Sequence, residues 1–270
     1  LKAGGFKLVM LKALVPILFI ILMAIYSYNV LLQTKKIEVL KQQFSSISTD
    51  KSVQVLLITW GFGGLLEGMA GFGTAVAIPA AILMSLGYRP VFSALVSLIA
   101  NSVPTAFGAV GVPVIVLAQE TGLPVIPLST AVVLQLSVLM FLVPLVITFL
   151  ADPRMKALSK NLLLSVLVGG VSLVAQYLAA RYVGAETPAI VGAIASIIVI
   201  VVLGKLTGRG EEKSVPMTYS GGEVFRAWAV YVLIMVLILF TSPLFPAVRE
   251  MLAGVCNSSV SFTINGEVRN

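Results

Sequence analysis

The stretch GFGGLLEGMAGFGTAVAIPAAILMSLGYRP, Gly61–Pro90, governs the reading of this chain. It is almost wholly apolar, holds six glycines in its first 13 residues, and carries a single carboxylate, Glu67. A plain apolar helix needs neither. Glycine lets backbones approach closely and adopt positive φ. Non-helical backbone at membrane depth persists only where it is buried in protein or lines a wet cavity. The stretch therefore reads as the tip of a hairpin, with amides turned toward something small and polar. A half-helix N-terminus at that depth would aim a positive dipole end at an anion. Close helix packing through small-xxx-small spacing accounts for the glycines equally well. Glu67 tips the balance, because a carboxylate inside a spanning segment costs about 2.5–3.5 kcal/mol on insertion scales and marks a functional site. It can take up and release a proton. The competing roles for it are a structural pairing, with a partner such as Arg89, or a position at the membrane interface.

Composition puts this stretch in a bilayer. Of 270 residues, 59% are hydrophobic and 11% charged, with a mean hydropathy of +1.06; a soluble domain carries roughly 25% charged residues. Several apolar runs exceed the roughly 20 residues that a spanning helix needs. Spans are expected near 12–32, 91–118, 125–150, 161–183, 187–206 and 224–243, with a connector at 33–52 and an apolar block at 53–87. In the connector, Ile37, Leu40, Phe44 and Ile47 recur at helical spacing. That pattern fits an amphipathic helix lying in the interface, or else a solvated linker.

Loop charge tests how block 53–87 crosses. If it returns to its starting side, the connector, Arg89, loop 151–160 and loop 205–226 share one side, which collects 12 of the 18 Lys and Arg. By the positive-inside rule that side is cytoplasmic. A single crossing would split the charge more evenly, so a re-entrant hairpin is expected, with Lys2, Lys7 and Lys12 discordant.

A second interruption follows in LIANSVPTAFGAVGVPVIV, Leu98–Val116. Asn101, Ser102, Pro104, Thr105, Gly108, Gly111 and Pro113 fall inside one otherwise apolar crossing. Proline removes a donor and breaks the helical ladder, freeing carbonyls beside side-chain dipoles. The alternative is a kinked helix with buried hydroxyls. Two broken segments together point to a solute site in a secondary transporter.

Other functions fit poorly. The net charge of +7 resides at the ends of apolar runs, as topology signals rather than a nucleic-acid stripe. With no histidine, one cysteine (Cys256) and no acidic pair in the apolar interior, the chain offers no nucleophile–base set or metal cluster for an intramembrane enzyme. No metal or cofactor is expected. A passive channel filtered by the Asn- and Thr-bearing break is the nearer rival.

Leu65–Pro90 followed by Leu98–Val116 resembles the signature region of bacterial L-lactate permeases, and GEVFRAWAVYVL, Gly222–Leu233, resembles a later stretch of the same family. The resemblance is long and specific around 60–115 and collinear over most of the chain. It implies an all-α polytopic protein of the bacterial inner membrane, carrying L-lactate, glycolate and related 2-hydroxy monocarboxylates by proton symport; Na⁺ coupling is the alternative. It further implies an inverted-repeat transporter, of which this chain holds one repeat: about six spanning helices plus the hairpin. On that reading Gly71, Gly73, Thr74, Asn101, Ser102 and Thr105 bind substrate and Glu67 couples protons. Family members are about twice this length, so the chain, which begins at Leu1 and ends in a polar tail, is expected to be a piece of a longer protein. Its partners are then the carboxylate, protons and lipid, with an oligomer possible. The organisation expected is a first span and connector (1–52), a hairpin and broken-helix core (53–150), further spans (151–243) and the tail (244–270).

Overall fold

The computed structural model describes residues 18, 22, 26, 29–30, 33–34, 36–71, 73–207, 218–241, 245, 247–248, 250–251, 262–264 and 267–269. Most of the expected span over 12–32 and most of the tail lie outside the described residues. Within them the chain is helical: α1 (Lys36–Ile47), α2 (Lys51–Met69), α3 (Thr74–Ser85), α4 (Pro90–Asn101), α5 (Gly108–Thr121), α6 (Val125–Ala151), α7 (Leu158–Tyr182), α8 (Pro188–Thr207) and α9 (Gly221–Thr241). A short antiparallel pair, β1 (Phe262–Ile264) and β2 (Glu267–Arg269), closes the chain, with Thr263 opposite Val268.

Proline and glycine set the boundaries. Pro90 and Pro188 occupy the first helical position of α4 and α8, where the missing N–H is not needed. Gly122, at φ +69°, ends α5 in the left-handed conformation that a non-glycine side chain resists. Among the described residues, four helices are long and apolar enough to cross a membrane: α2, α6, α7 and α8. A fifth crossing is made if α4 and the segment Pro104–Thr121, bent by 54° from each other, count as one. This is a multi-pass membrane protein. The expected span count of six is not reached among the described residues.

Block 53–87 folds back on itself. At 1.5 Å per residue, α2 rises roughly 28 Å, about one hydrocarbon thickness, and α3 returns along it. Gly63 makes the close pass: a Cβ there would lie 3.3 Å from both the Ala75 carbonyl oxygen and the Pro79 ring. At the base of the hairpin the Tyr88 hydroxyl donates to Gln54 Oε1 at 2.9 Å. Burial first, and the Asp50 charge second, push the Tyr88 phenol up to about 12, so it remains a neutral donor.

The same end gathers the loops. Asp50 caps α2 through Val53 N at 3.1 Å and pairs with Lys160, while Ser52 Oγ donates to the Thr148 carbonyl at 3.3 Å. Asn161 Nδ2 donates to the Thr148 and Asp152 carbonyls, closing the α6–α7 turn. The Arg154 guanidinium holds the Asp152 carboxyl down to about 2. A cavity of about 540 Å³ opens here between Thr49–Lys51 and Ala151–Arg154. Gly204 of α8 packs on Val53. Lys51, Arg89, Arg154, Lys160 and Lys205 thus share one end of the bundle, the distribution that the charge count required of a hairpin.

The connector is a helix, and it docks on protein rather than lying free in the interface. Phe44 of α1 is fully buried, its ring 5.1 Å from Phe62 of α2 and 6.4 Å from Trp228 of α9, and Trp228 Nε1 donates to Gln43 Oε1 at 2.7 Å. The aromatic contact draws α1 into the core.

Candidate functional site

Glu67 lies in the last turn of α2 and is 3% exposed. Two breaks in the chain meet around it. The first is the α2–α3 turn, where Gly71 (φ +61°) and Gly73 (φ +86°) reverse the chain. The second follows α4: a short 3₁₀ turn, Pro104–Phe107, then Ala109, Val110 and Gly111 in succession at positive φ (45°, 62° and 75°). Left-handed backbone at alanine and valine costs roughly 1–2 kcal/mol per residue, so the surrounding packing must hold it in place.

That packing is close. A Cβ at Gly71 would lie 3.0 Å from Ala109 Cβ and 3.0 Å from its amide nitrogen. A Cβ at Gly108 would lie 2.3 Å from Glu67 Oε1. The hairpin tip and the broken helix therefore interlock, with the carboxyl against the Gly108 backbone. The Asn101 side chain stands beside the same carboxyl. Asn101 Nδ2 donates to Thr105 Oγ1 at 3.0 Å, and the Thr105 hydroxyl donates to the Asn101 carbonyl. Glu67 Oε2 and Asn101 Oδ1 remain buried without a hydrogen-bond partner. Buried polar atoms are nearly always paired, and an unpaired one needs an explanation. A bound proton on the carboxyl, or a hydroxyl-bearing solute, supplies what these two acceptors lack. The N-terminus of α3 opens at the tip behind Gly73 with no side-chain cap, and such a helix start presents amides suited to an anion.

The expected site residues divide. Glu67, Gly71, Asn101 and Thr105 are brought together. Gly73 is exposed with nothing within 4 Å of its missing Cβ, and Thr74 begins α3 behind it. Ser102 is exposed, and its hydroxyl closes the end of its own helix on the Ile99 carbonyl at 2.7 Å. Arg89 does not pair with Glu67; it sits at the base of the hairpin, with the 12-residue α4 between it and Asn101.

The glycine-rich run needs correction as well. Gly61, Gly64 and Gly68 are buried within α2 rather than exposed at a tip, and each clears a neighbour on α8: Ile197, Ala193 and Ile190 respectively. Cβ atoms at Gly61 and Gly68 would fall 2.7 and 2.8 Å from those isoleucines. At these positions glycine serves close helix packing. The intervening turn, Leu57–Phe62, widens into a π-helix, a feature concentrated at functional sites, and Trp60 Nε1 there donates to Ser196 Oγ at 3.2 Å.

One neighbour of the site had no signal in the sequence. The turn between α7 and α8 presses on the broken helix: a Cβ at Gly111 would lie 2.1 Å from the Ala185 carbonyl oxygen and 3.0 Å from Glu186 N. Among the described residues, no group of three or more His, Cys, Asp and Glu could hold a metal ion.

Comparisons with known proteins bear on this arrangement. The family model for L-lactate permease matches residues 5–268. The L-lactate permease of Streptococcus iniae is 41% identical over 253 residues, 92% of this chain and 52% of that protein. The L-lactate permease of Bacillus subtilis (strain 168) is 34% identical over 268 residues, 92% of this chain and 47% of that one. The glycolate permease GlcA of Escherichia coli (strain K12) is 33% identical over 244 residues, 83% and 43% of the two chains. The chain thus spans about half the length of the curated relatives it matches. No solved structure matches it.

Proposed function

The chain belongs to the L-lactate permease family, and from that premise we propose that it carries one repeat of a secondary transporter for L-lactate, glycolate and related 2-hydroxy monocarboxylates, working by proton symport in the bacterial inner membrane. One observation carries the reading: a buried carboxyl, Glu67, faces a broken helix with an oxygen unpaired beside an equally unpaired side-chain oxygen, Asn101 Oδ1. Broken helices bearing free backbone groups are where secondary transporters hold substrate and coupling ion. In this account the substrate carboxylate meets amides at the start of α3, its hydroxyl satisfies Asn101 or Glu67, and Glu67 carries the proton. A second repeat supplies the opposite wall.

The test is uptake by the full-length transporter in proteoliposomes. Lactate accumulation that follows an imposed proton gradient supports symport. Accumulation that follows only a Na⁺ gradient, or saturation-free flux without either, overturns it. Asn101→Ala should raise the lactate KM by roughly tenfold, the value of one hydrogen bond to a charged or buried group at about 1.4 kcal/mol. An unchanged KM would return the break to a simple kink.

The proposal also fixes topology. Cysteines placed at Lys51 and Arg89, in a Cys256→Ser background, should react with an impermeant reagent from the cytoplasmic side only. Reaction of the two positions from opposite faces would overturn the re-entrant hairpin.

A further inference from the structure

The α7–α8 turn carries two polar side chains that the transport reading leaves unused. Thr187, 1% exposed, caps the start of α8 with its backbone carbonyl, which accepts from Val191 N at 3.0 Å, yet its hydroxyl is buried without a partner. Glu186 beside it is half-buried, and its Oε2 is likewise buried and unpaired. The turn is held against the site on two sides. Its backbone abuts Gly111, while Gly68, one residue after Glu67, packs on Ala189 and Ile190 at the start of α8. The chain that meets Glu67 at Gly108 therefore meets the Glu186 backbone three residues later, at the left-handed Gly111. A half-buried carboxyl at the far end of the bundle and a buried one are joined through a single turn of chain.

Nothing else in the vicinity accounts for Glu186. Among the described residues no ion pair engages it. Of the packed elements, α2 contributes Glu67 and the 108–111 turn has no ionisable group. Arg181 and Tyr182 of α7 and Glu120 of α5 are exposed. The orphaned atoms around the interlock, on Glu67, Asn101, Glu186 and Thr187, are three acceptors and one hydroxyl. Such a set is short of protons. It suits a proton path better than a second anion subsite.

We propose that Glu186 is the entrance carboxyl of the proton path and that Thr187 orders the water linking it to Glu67. This rests on the symport reading above. An O–H bond forms at Glu186 as an O–H bond of external hydronium breaks, leaving water. That bond breaks as the proton passes through water to Glu67, where a new O–H forms; no other reactant is consumed.

The test uses the full-length transporter in proteoliposomes, following lactate-driven proton flux with an internal pH dye and lactate–lactate exchange with label. Glu186→Gln should lower proton-coupled flux by roughly 10²-fold, the lower range for a positioned proton carrier, and lower exchange much less, since exchange needs no net proton movement. Glu186→Asp should restore part of the flux and shift its dependence on external pH. Thr187→Val should slow coupled flux with little change in lactate KM. Proton flux unchanged in Glu186→Gln, or flux and exchange lowered in proportion, would overturn this inference while leaving symport standing. A parent protein without proton-coupled flux would overturn both.

Discussion

Glu67→Gln should abolish uphill lactate accumulation in the full-length transporter while lactate exchange persists. The reason is electrostatic. A monocarboxylate entering as an anion moves against a negative-inside potential worth about 2.3 kcal/mol per charge per 100 mV, so inward accumulation needs an accompanying positive charge. Glu67 is 3% exposed at the junction of both chain breaks, and its Oε2 has no partner to lose. Glutamine keeps the shape that fits against Gly108 and mimics the protonated acid, so folding is retained and the titration is removed. Net proton-coupled uptake should fall by roughly 10²-fold or more. Uptake against a gradient, with internal pH followed in parallel, measures it. A Gln variant that accumulates lactate and acidifies the lumen like the parent would make Glu67 structural.

Gly108→Ala should push the Glu67 carboxyl off its place against the broken helix. Gly108 has φ −66° and ψ 160°, where alanine is comfortable, so the backbone is not the obstacle. The obstacle is Glu67, whose Oε1 and Cδ would lie 2.3 and 3.1 Å from the new Cβ. Overpacking of this kind costs about 1–3 kcal/mol, and displacing the carboxyl should lower uptake by about tenfold or more. A double-mutant cycle isolates the contact. In a Glu67→Ala background, Gly108→Ala should cost almost nothing in thermal stability in detergent. An equal cost in both backgrounds would show that Gly108 answers to another neighbour.

The local features of this fold were legible because they are written in local chemistry. Expected spans at 125–150, 161–183 and 187–206 correspond to α6, α7 and α8 within a few residues, since apolar length and flanking Pro and Gly suffice to bound a helix. The break after Asn101 was equally visible, as Pro104 and Gly108 forbid a continuous ladder. The hairpin needed only loop charge, because topology follows where Lys and Arg can rest.

Long-range partners stayed hidden. Gly61, Gly64 and Gly68 fit a hairpin tip or close helix packing equally well when read alone; α8 makes them packing residues, and α8 lies more than a hundred residues further along the chain. Phe44 read alone fits an interfacial helix or a solvated linker; its contacts with Phe62 and Trp228 bury it in the core. Ala109 and Val110 carry no turn signature at all, and their left-handed backbone is imposed by Gly71 on one side and Ala185–Glu186 on the other.

The sequence by itself determined a membrane protein of apolar helices, interrupted twice, with one carboxylate in the first interrupted stretch. Hydropathy, proline and glycine act within a turn or two of where they stand. Only the tertiary structure decided that the two interruptions interlock, that Glu67 faces Gly108 and Asn101 rather than Arg89, and that the Ala185–Glu186 backbone closes on the same turn. Those contacts join segments up to about 75 residues apart, and they exist because buried polar atoms and missing Cβ atoms must be matched across the packed bundle.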